Sequence, residues 1–429
     1  MTAPIAIIAH AHPSLSKGGA EIAAATLFRG LRALGVPAVF IVAVPEADRY
    51  RLELAADEYA VFHDPDRYDH LYHLAAPAVA RDLCAVIEAT GAEMLVFHHF
   101  LYLGLNSLRD AVALPGRRGT LVLHEFLAMC HHHGQMITAG NWSLCSAATA
   151  SRCAGCYPLL GRPRFELRRQ VVAEMLDLLA GFIAPSRFLA DRFIAWGLPA
   201  ARMHVVENGL AQPMPPSGQP PVERGRFVFG YFGQLNPFKG VDVLLRATAL
   251  LGGLMPAPSI EIRIHGNIIG QPAGFLTRLE ALEASQPMLR VMGPYDNDQV
   301  MNLMSDCDYV VVPSIWWENS PVVIQEAFAA GRPVICTGIG GMAEKVVPGV
   351  GGLHFRRDDA GHLAQVMLGA ADRAVFDRLR AGLPRPGDAP AMARQYLAVL
   401  GLSAPDGEAP NSKAIMRTVR RAGTKVAAT

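Results

Sequence analysis

At 429 residues with 51% apolar side chains, the chain is longer than one hydrophobic core usually organises, and two domains of about 200 residues each are expected. A net charge of +1, with the charged residues evenly spread, argues against nucleic acid as the main partner, because phosphate-backbone binding needs a concentrated basic surface. Seven unevenly placed cysteines, a first segment without the basic and long apolar regions of a signal peptide, and no apolar run of the roughly 18 to 20 residues that span a bilayer together lead us to expect a cytoplasmic protein.

Short Val- and Ile-rich runs alternate with segments of helical period, the pattern of a parallel sheet covered on both faces. The first strand is expected over 5–9. It leads into Ser16-Lys17-Gly18-Gly19-Ala20-Glu21 and an amphipathic helix over 21–34. Glycines at a helix start let a ligand approach the backbone where anions are favoured, although a Gly-Gly is often a plain turn. A strand over 38–44 follows, then Asp64-Pro65-Asp66, a pair of carboxylates that the intervening proline makes a turn rather than a metal site. Pro77 suits the start of a helix over 78–90. The strand 94–97 runs into His98 and His99, and the strand 120–123 into His124-Glu125; these histidines are either core and cap residues or ligand contacts.

Cys130, Cys145, Cys153 and Cys156, with His131, His132 and His133 beside the first, fall in an irregular stretch. Four thiols in so short a window are consistent with one structural zinc, with reduced cysteines and a disulfide as alternatives. Strands over 181–184 and 203–206 close this half, with Ser186 and Asn208-Gly209 read as helix cap and turn. Pro213, Pro215, Pro216, Pro220 and Pro221 then forbid helix or central strand, and the domain boundary is placed there.

A second alternating series runs through 227–232, 241–251, 260–265, 309–312 and 333–336. Two doubly wound units with ligand at the carboxyl ends of their strands are the simplest arrangement. After 227–232 comes Gly233-Gln234-Leu235-Asn236-Pro237-Phe238-Lys239-Gly240. After 309–312 comes a loop carrying Glu318, Asn319 and Ser320, then an apolar turn with Pro321 that leads into a helix carrying Glu326 and ending at Gly331. Carboxylates suit paired hydroxyls, since an ionised acceptor strengthens each hydrogen bond. From about Asn411 the sequence is basic and reads as a loose tail able to touch anionic lipid.

The segment 313–335, followed by Gly340-Gly341-Met342-Ala343-Glu344, resembles the acidic-pair motif of the family-4 retaining glycosyltransferases of GT-B fold. The resemblance is strongest from Phe227 to about Phe355. It implies two Rossmann-like domains facing a central cleft: an acceptor domain over 1–208 with a Cys-rich insertion at 125–160, a linker at 209–225, a nucleotide-sugar domain over 226–385, a helix at 386–402 returning to the first domain, and a basic tail at 403–429. By position, Glu326 would hold the ribose hydroxyls and Glu318 the transferred sugar, with Asn319, Ser320, Pro321 and Val322 beside them. Lys239 would neutralise the diphosphate, Gly18 and Gly19 would lie over the donor phosphate, and His124 would sit at the reacting end of the sugar.

Gln234 stands where the family has an arginine, and supplies hydrogen bonds but no charge. The implied reaction moves a sugar from an NDP-sugar to a hydroxyl of a glycan or lipid-linked glycan with retention, needs no metal or other cofactor for catalysis, and serves polysaccharide or glycolipid assembly at the inner face of the membrane. An NDP-sugar epimerase of the same fold and a catalytically impaired sugar-nucleotide binder are the rival readings.

Overall fold

The computed structural model describes residues 3–16, 18–211, 225–254 and 260–404. Lys17, the prolines from Pro213 to Pro221 and the basic tail beyond residue 404 lie outside the described residues. The chain begins with β1 (Ile5–Ala9), α1 (Gly19–Ala33), β2 (Ala38–Pro45), β3 (Glu58–His63), α2 (Pro77–Thr90), β4 (Met94–Phe97), α3 (Leu105–Ala113) and β5 (Arg118–Val122). It continues with α4 (Ala150–Cys156), α5 (Gly161–Asp177), β6 (Gly181–Ala184), α6 (Arg187–Trp196) and β7 (Met203–Val205). Then follow β8 (Phe227–Phe232), α7 (Val241–Leu254), β9 (Ile260–His265), α8 (Phe275–Ser285), β10 (Leu289–Gly293), α9 (Val300–Ser305) and β11 (Tyr309–Val312). The last elements are α10 (Val322–Ala329), β12 (Val334–Thr337), α11 (Gly340–Lys345), β13 (Gly352–Phe355), α12 (Ala360–Ala370), α13 (Arg373–Ala381) and α14 (Ala389–Leu400).

The strands form two parallel sheets, ordered β3-β2-β1-β4-β5-β6-β7 and β10-β9-β8-β11-β12-β13. Both orders are doubly wound. Each reverses direction once, between β1 and β4 in the first sheet and between β8 and β11 in the second, and loops leaving such a point diverge to opposite faces. Interior strands such as β1 and β11 are buried along their whole length because they are continuous apolar runs, Ile-Ala-Ile-Ile-Ala and Tyr-Val-Val-Val. Three strands not anticipated from the sequence, β3, β10 and β13, are all at sheet edges. There one side of the strand lacks a neighbour, and polar residues such as Glu58, Arg290 and His354 interrupt the apolar run.

By its contacts the chain separates into two compact units: residues 1–68, 74–120 and 389–429, and residues 69–73 with 121–388. In the first unit α14 packs along α1, and Gly30 makes the approach possible, since a Cβ there would lie 2.2 Å from the carbonyl oxygen of Ala389. In the second unit, residues alternate between two apolar layers with the strand period of two. Phe229, Tyr231, Ile262, Tyr309 and Val311 face one layer, whereas Val228, Phe232, Val310, Val312 and Val334 face the other. Phe229 stacks on Tyr309 at 5.2 Å between ring centroids. No described helix is long and apolar enough to cross a membrane.

Gly30→Ala should lower stability by about 1 to 3 kcal/mol through overpacking at α14. Gly369→Ala, on an exposed and open part of α12, should raise it by about 0.5 to 1 kcal/mol through helix propensity. Urea midpoints of the two variants moving in the same direction would contradict this account of the α1 and α14 contact.

Candidate functional site

The site begins with the backbone at the point where the second sheet reverses. Beyond β8, Gly233 takes φ +141°, and its carbonyl lies so close to the loop after β9 that a Cβ on Gly266 would fall 1.7 Å from it. Asn236 then caps a single 3-10 turn, its Oδ1 accepting from the N–H groups of Phe238 and Lys239 at 3.0 Å each. Gly240 closes this turn at φ +70°, where a Cβ would lie 1.9 Å from the carbonyl oxygen of Pro313. The turn is therefore pressed against the loop that leaves β11. Phe238 O accepts from Ile315 N at 2.9 Å, and the Phe238 and Trp316 rings stack at 5.5 Å.

This contact delivers Lys239 to Glu318. Nζ donates to Oε1 at 2.7 Å, and the same oxygen accepts from Ser314 Oγ and Trp316 Nε1, each at 2.8 Å. Glu318 is 8% exposed. Burial alone would push its carboxyl up, but the Lys239 ammonium and the three hydrogen bonds outweigh that effect and hold it below the usual carboxylate range. The Glu318 carbonyl accepts from Gly341 N at 2.7 Å, and a Cβ on Gly341 would strike Asn319 O at 1.9 Å, so the start of α11 also braces the loop.

Glu326 sits one helix further on, in α10, and is a different kind of acid. Burial pushes its carboxyl up to about 7. It is close enough to Tyr295 to help, after burial, to raise that phenol to about 12. Tyr295 meets Phe232 and His265 edge-on at 5.9 Å and 6.2 Å, so an aromatic group borders this carboxyl. Between the two glutamates, Asn319 Nδ2 donates to the carbonyl of His124 at 3.0 Å, while Asn319 Oδ1 and Ser320 Oγ are buried without a hydrogen-bond partner. Pro321 is the N-cap of α10 and Val322 its first residue, and no side chain caps that helix start. Gln325 Nε2 reaches Asn208 O at 2.6 Å.

The expected site residues thus fall into two groups. Lys239, Glu318, Asn319, Ser320, Pro321, Val322 and Glu326 lie on the loops and helix at the β8/β11 reversal, and His124 joins them through its carbonyl oxygen. Gln234 is exposed, with Oε1 accepting weakly from Asn236 Nδ2 at 3.4 Å. Gly18 and Gly19 belong to the first unit, as the N-cap and first residue of α1. Ser314, Trp316 and Tyr295 were not singled out from the sequence. A serine and a tryptophan beside a glutamate reveal nothing until the loop turns both side chains onto one oxygen. Glu344, read only as part of a glycine motif, accepts from Arg187 N and Phe188 N at 2.8 Å and 2.7 Å and so supplies the start of α6 with an acceptor.

Two further motifs of the sequence serve local backbone structure. Asp64 Oδ1 accepts from Asp66 N at 3.0 Å, the turn expected for Asp-Pro-Asp. Ser186 Oγ caps α6 by accepting from Leu189 N at 3.2 Å. Burial pushes the thiol of Cys153 up to about 11, helped by Cys130, Cys145 and Cys156, so the four thiols share one neighbourhood. Cys130 Sγ lies 3.9 Å from the His132 carbonyl oxygen and Cys145 Sγ 3.3 Å from that of Ala147. Among the described residues no group of three or more His, Cys, Asp or Glu side chains is placed to hold a metal ion.

A cation paired to a buried carboxylate, two further unpartnered polar atoms and a second acid on α10 that titrates near neutrality can bind an anion and several hydroxyls at once. Comparison with known proteins agrees with this chemistry. Residues 18–209 match the family described as glycosyl transferase 4-like domain, and residues 226–372 the family described as glycosyl transferases group 1. A D-inositol 3-phosphate glycosyltransferase of Salinispora tropica is 31% identical over 234 residues, 49% of this chain and 47% of that protein. The corresponding protein of Salinispora arenicola is 32% identical over 205 residues, 43% of this chain and 44% of that one. The chain thus spans about half the length of these curated relatives. In overall fold it resembles the Anabaena protein Alr3699/HepE solved in complex with UDP, with a TM-score of 0.67 at 18% identity, covering 93% of this chain and 99% of that one. Sucrose-phosphate synthase from Thermosynechococcus elongatus gives a TM-score of 0.65 at 16% identity, covering 93% and 98%. With two Rossmann-like sheets of GT-B type and matching patterns in both halves, the chain belongs to the group 1, family 4 glycosyltransferases.

Proposed function

We propose that this protein transfers a sugar from a nucleoside-diphosphate sugar to a hydroxyl acceptor, with retention of anomeric configuration. The observation that carries the reading is the Lys239 and Glu318 pair at the β8/β11 reversal. An ammonium has three donors, so Lys239 can keep its bond to Glu318 and still meet a diphosphate. Glu318 offers its second oxygen to a sugar hydroxyl, and the buried Glu326 accepts from the ribose. Gln234 adds a neutral hydrogen bond to the phosphates in place of a second cation, so Lys239 supplies the charge that stabilises the departing diphosphate. The acceptor loses its proton to that leaving group on the same face, and no enzyme carboxylate acts as nucleophile. A glycan or lipid-linked glycan acceptor, and a place in polysaccharide or glycolipid assembly at the inner face of the membrane, belong to the same proposal.

UDP-sugars are the first donors to try, since the Anabaena protein was solved with UDP, with UDP and glucose, and with UDP-glucose. In a thermal-shift screen of UDP-, GDP- and ADP-sugars, one donor at about 100 times its Kd should stabilise the fold by about 2.7 kcal/mol. A melting curve that none of the three moves would sink the proposal.

The acid at Glu326 provides a pH test. If its ionised form accepts from the ribose, donor affinity should fall about tenfold as pH drops from about 8 to about 6, through a carboxyl that titrates at about 7. In Glu326→Gln the affinity should be weak and flat with pH, and a variant that kept the wild-type slope would assign the titration elsewhere.

For the cysteine cluster we retain a structural zinc as a proposal, one that requires Cys130 and Cys145 to turn from their carbonyls to a common centre. Metal analysis of the purified chain should then read about one zinc, lost in Cys153→Ser/Cys156→Ser. Folded, metal-free protein ends it.

A further inference from the structure

The first sheet also reverses, between β1 and β4, and the residues that leave those strands are histidines: His10 after β1, His98 and His99 after β4, with His63 ending β3. His10 and His99 approach to 4.5 Å between ring centroids, and His63 stacks on Tyr102 at 4.7 Å. Burial, first among the causes, pushes His10 down to about 3 and His63 and His99 to about 4, so these rings are neutral at physiological pH. His99 Nδ1 accepts from the N–H groups of Phe100 and Leu101 at 3.0 Å and 2.9 Å, which places the ring proton on Nε2. His63 is 4% exposed, yet neither of its ring nitrogens has a hydrogen-bond partner, and the buried Nδ1 of His10 has none either. Buried imidazole nitrogens without partners at the reversal point of a doubly wound sheet are groups waiting for a ligand.

What that ligand can be is limited by Glu21. It occupies the first turn of α1, where an anion would otherwise be favoured, with Ser16 Oγ donating to Oε1 at 2.5 Å and His10 Nε2 3.5 Å from the same oxygen. A Cβ on Gly18 would lie 2.5 Å from Oε2, so the carboxylate fills the space beneath the glycine. The chain has supplied its own anion to this helix start. A phosphate entering here would meet a carboxylate and neutral rings, whereas hydroxyl groups would meet one strong acceptor and imidazoles able both to donate and to accept.

We propose that the cluster of His10, Glu21, His63 and His99 at the β1/β4 reversal takes an uncharged, polyhydroxylated acceptor and discriminates against a phosphorylated one. The inference rests on the transferase reading above, and it separates this chain from relatives named for a phosphorylated inositol.

The test is nitrogen-labelled histidine NMR on the full chain, titrated with myo-inositol and glucose and, in parallel, with their monophosphate esters, while UDP binding is followed in the same sample. The neutral polyols should shift the imidazole signals that disappear in His63→Asn, and the phosphate esters should need roughly tenfold higher concentration or more. In Glu21→Gln, which keeps the shape and removes the charge, that preference should shrink or reverse. Esters binding as tightly as the polyols to the wild-type chain, or no shift with either polyol, overturns the proposal. Loss of nucleotide binding alone would count against the transferase reading and leave this one standing or falling on the histidine signals.

Discussion

Keeping the Glu318 carboxylate ionised while it is buried is the constraint on which the site's architecture depends. An isolated buried carboxylate would take up a proton, and removing a partner from such a pair typically costs about 3 to 5 kcal/mol. Lys239, Ser314 and Trp316 must therefore all arrive at one oxygen. Their arrival needs the loops after β8 and β11 to touch, which only a glycine at 240 permits, and the start of α11 to press on Asn319, which needs a glycine at 341. The glycines of this region are set by the geometry of the carboxylate more than by any need for flexibility.

The two glutamates show how environment divides one residue type into two roles. Glu318 is surrounded by donors and stays charged; Glu326 has burial as its dominant influence and titrates near neutrality. The same contrast recurs in the first unit, where Glu21 sits at a helix start with a serine donor and the histidines around it are kept neutral by burial. Charge in this molecule is placed by which donors converge on it, with sequence spacing only a first guide.

Much of the fold could be read from the sequence because interior strands of a doubly wound sheet are buried on both faces and so appear as unbroken apolar runs, as β1, β8 and β11 do. The edge strands β3, β10 and β13 have their apolar runs broken by polar residues such as Glu58, Arg290 and His354 and hide among loops. At the site, the residues fixed by position along a strand-loop-helix segment, Lys239, Glu318 and Glu326, were legible. Ser314, Trp316 and Tyr295 were not, because their part depends on side-chain direction, which no spacing rule records. The thiols illustrate the opposite case: spacing brings Cys130, Cys145, Cys153 and Cys156 into one neighbourhood, while local carbonyls decide where two of the sulfurs point.

All three donors to Glu318 converge on the same oxygen. Oε1 is thereby saturated and the carboxylate plane is locked, which leaves Oε2 as a single acceptor with fixed lone-pair directions. In the transfer proposed above, a group held that way would read orientation: a hydroxyl on one face of a sugar ring would meet it in line, and its epimer, with the oxygen on the other face, would have to tilt the whole ring.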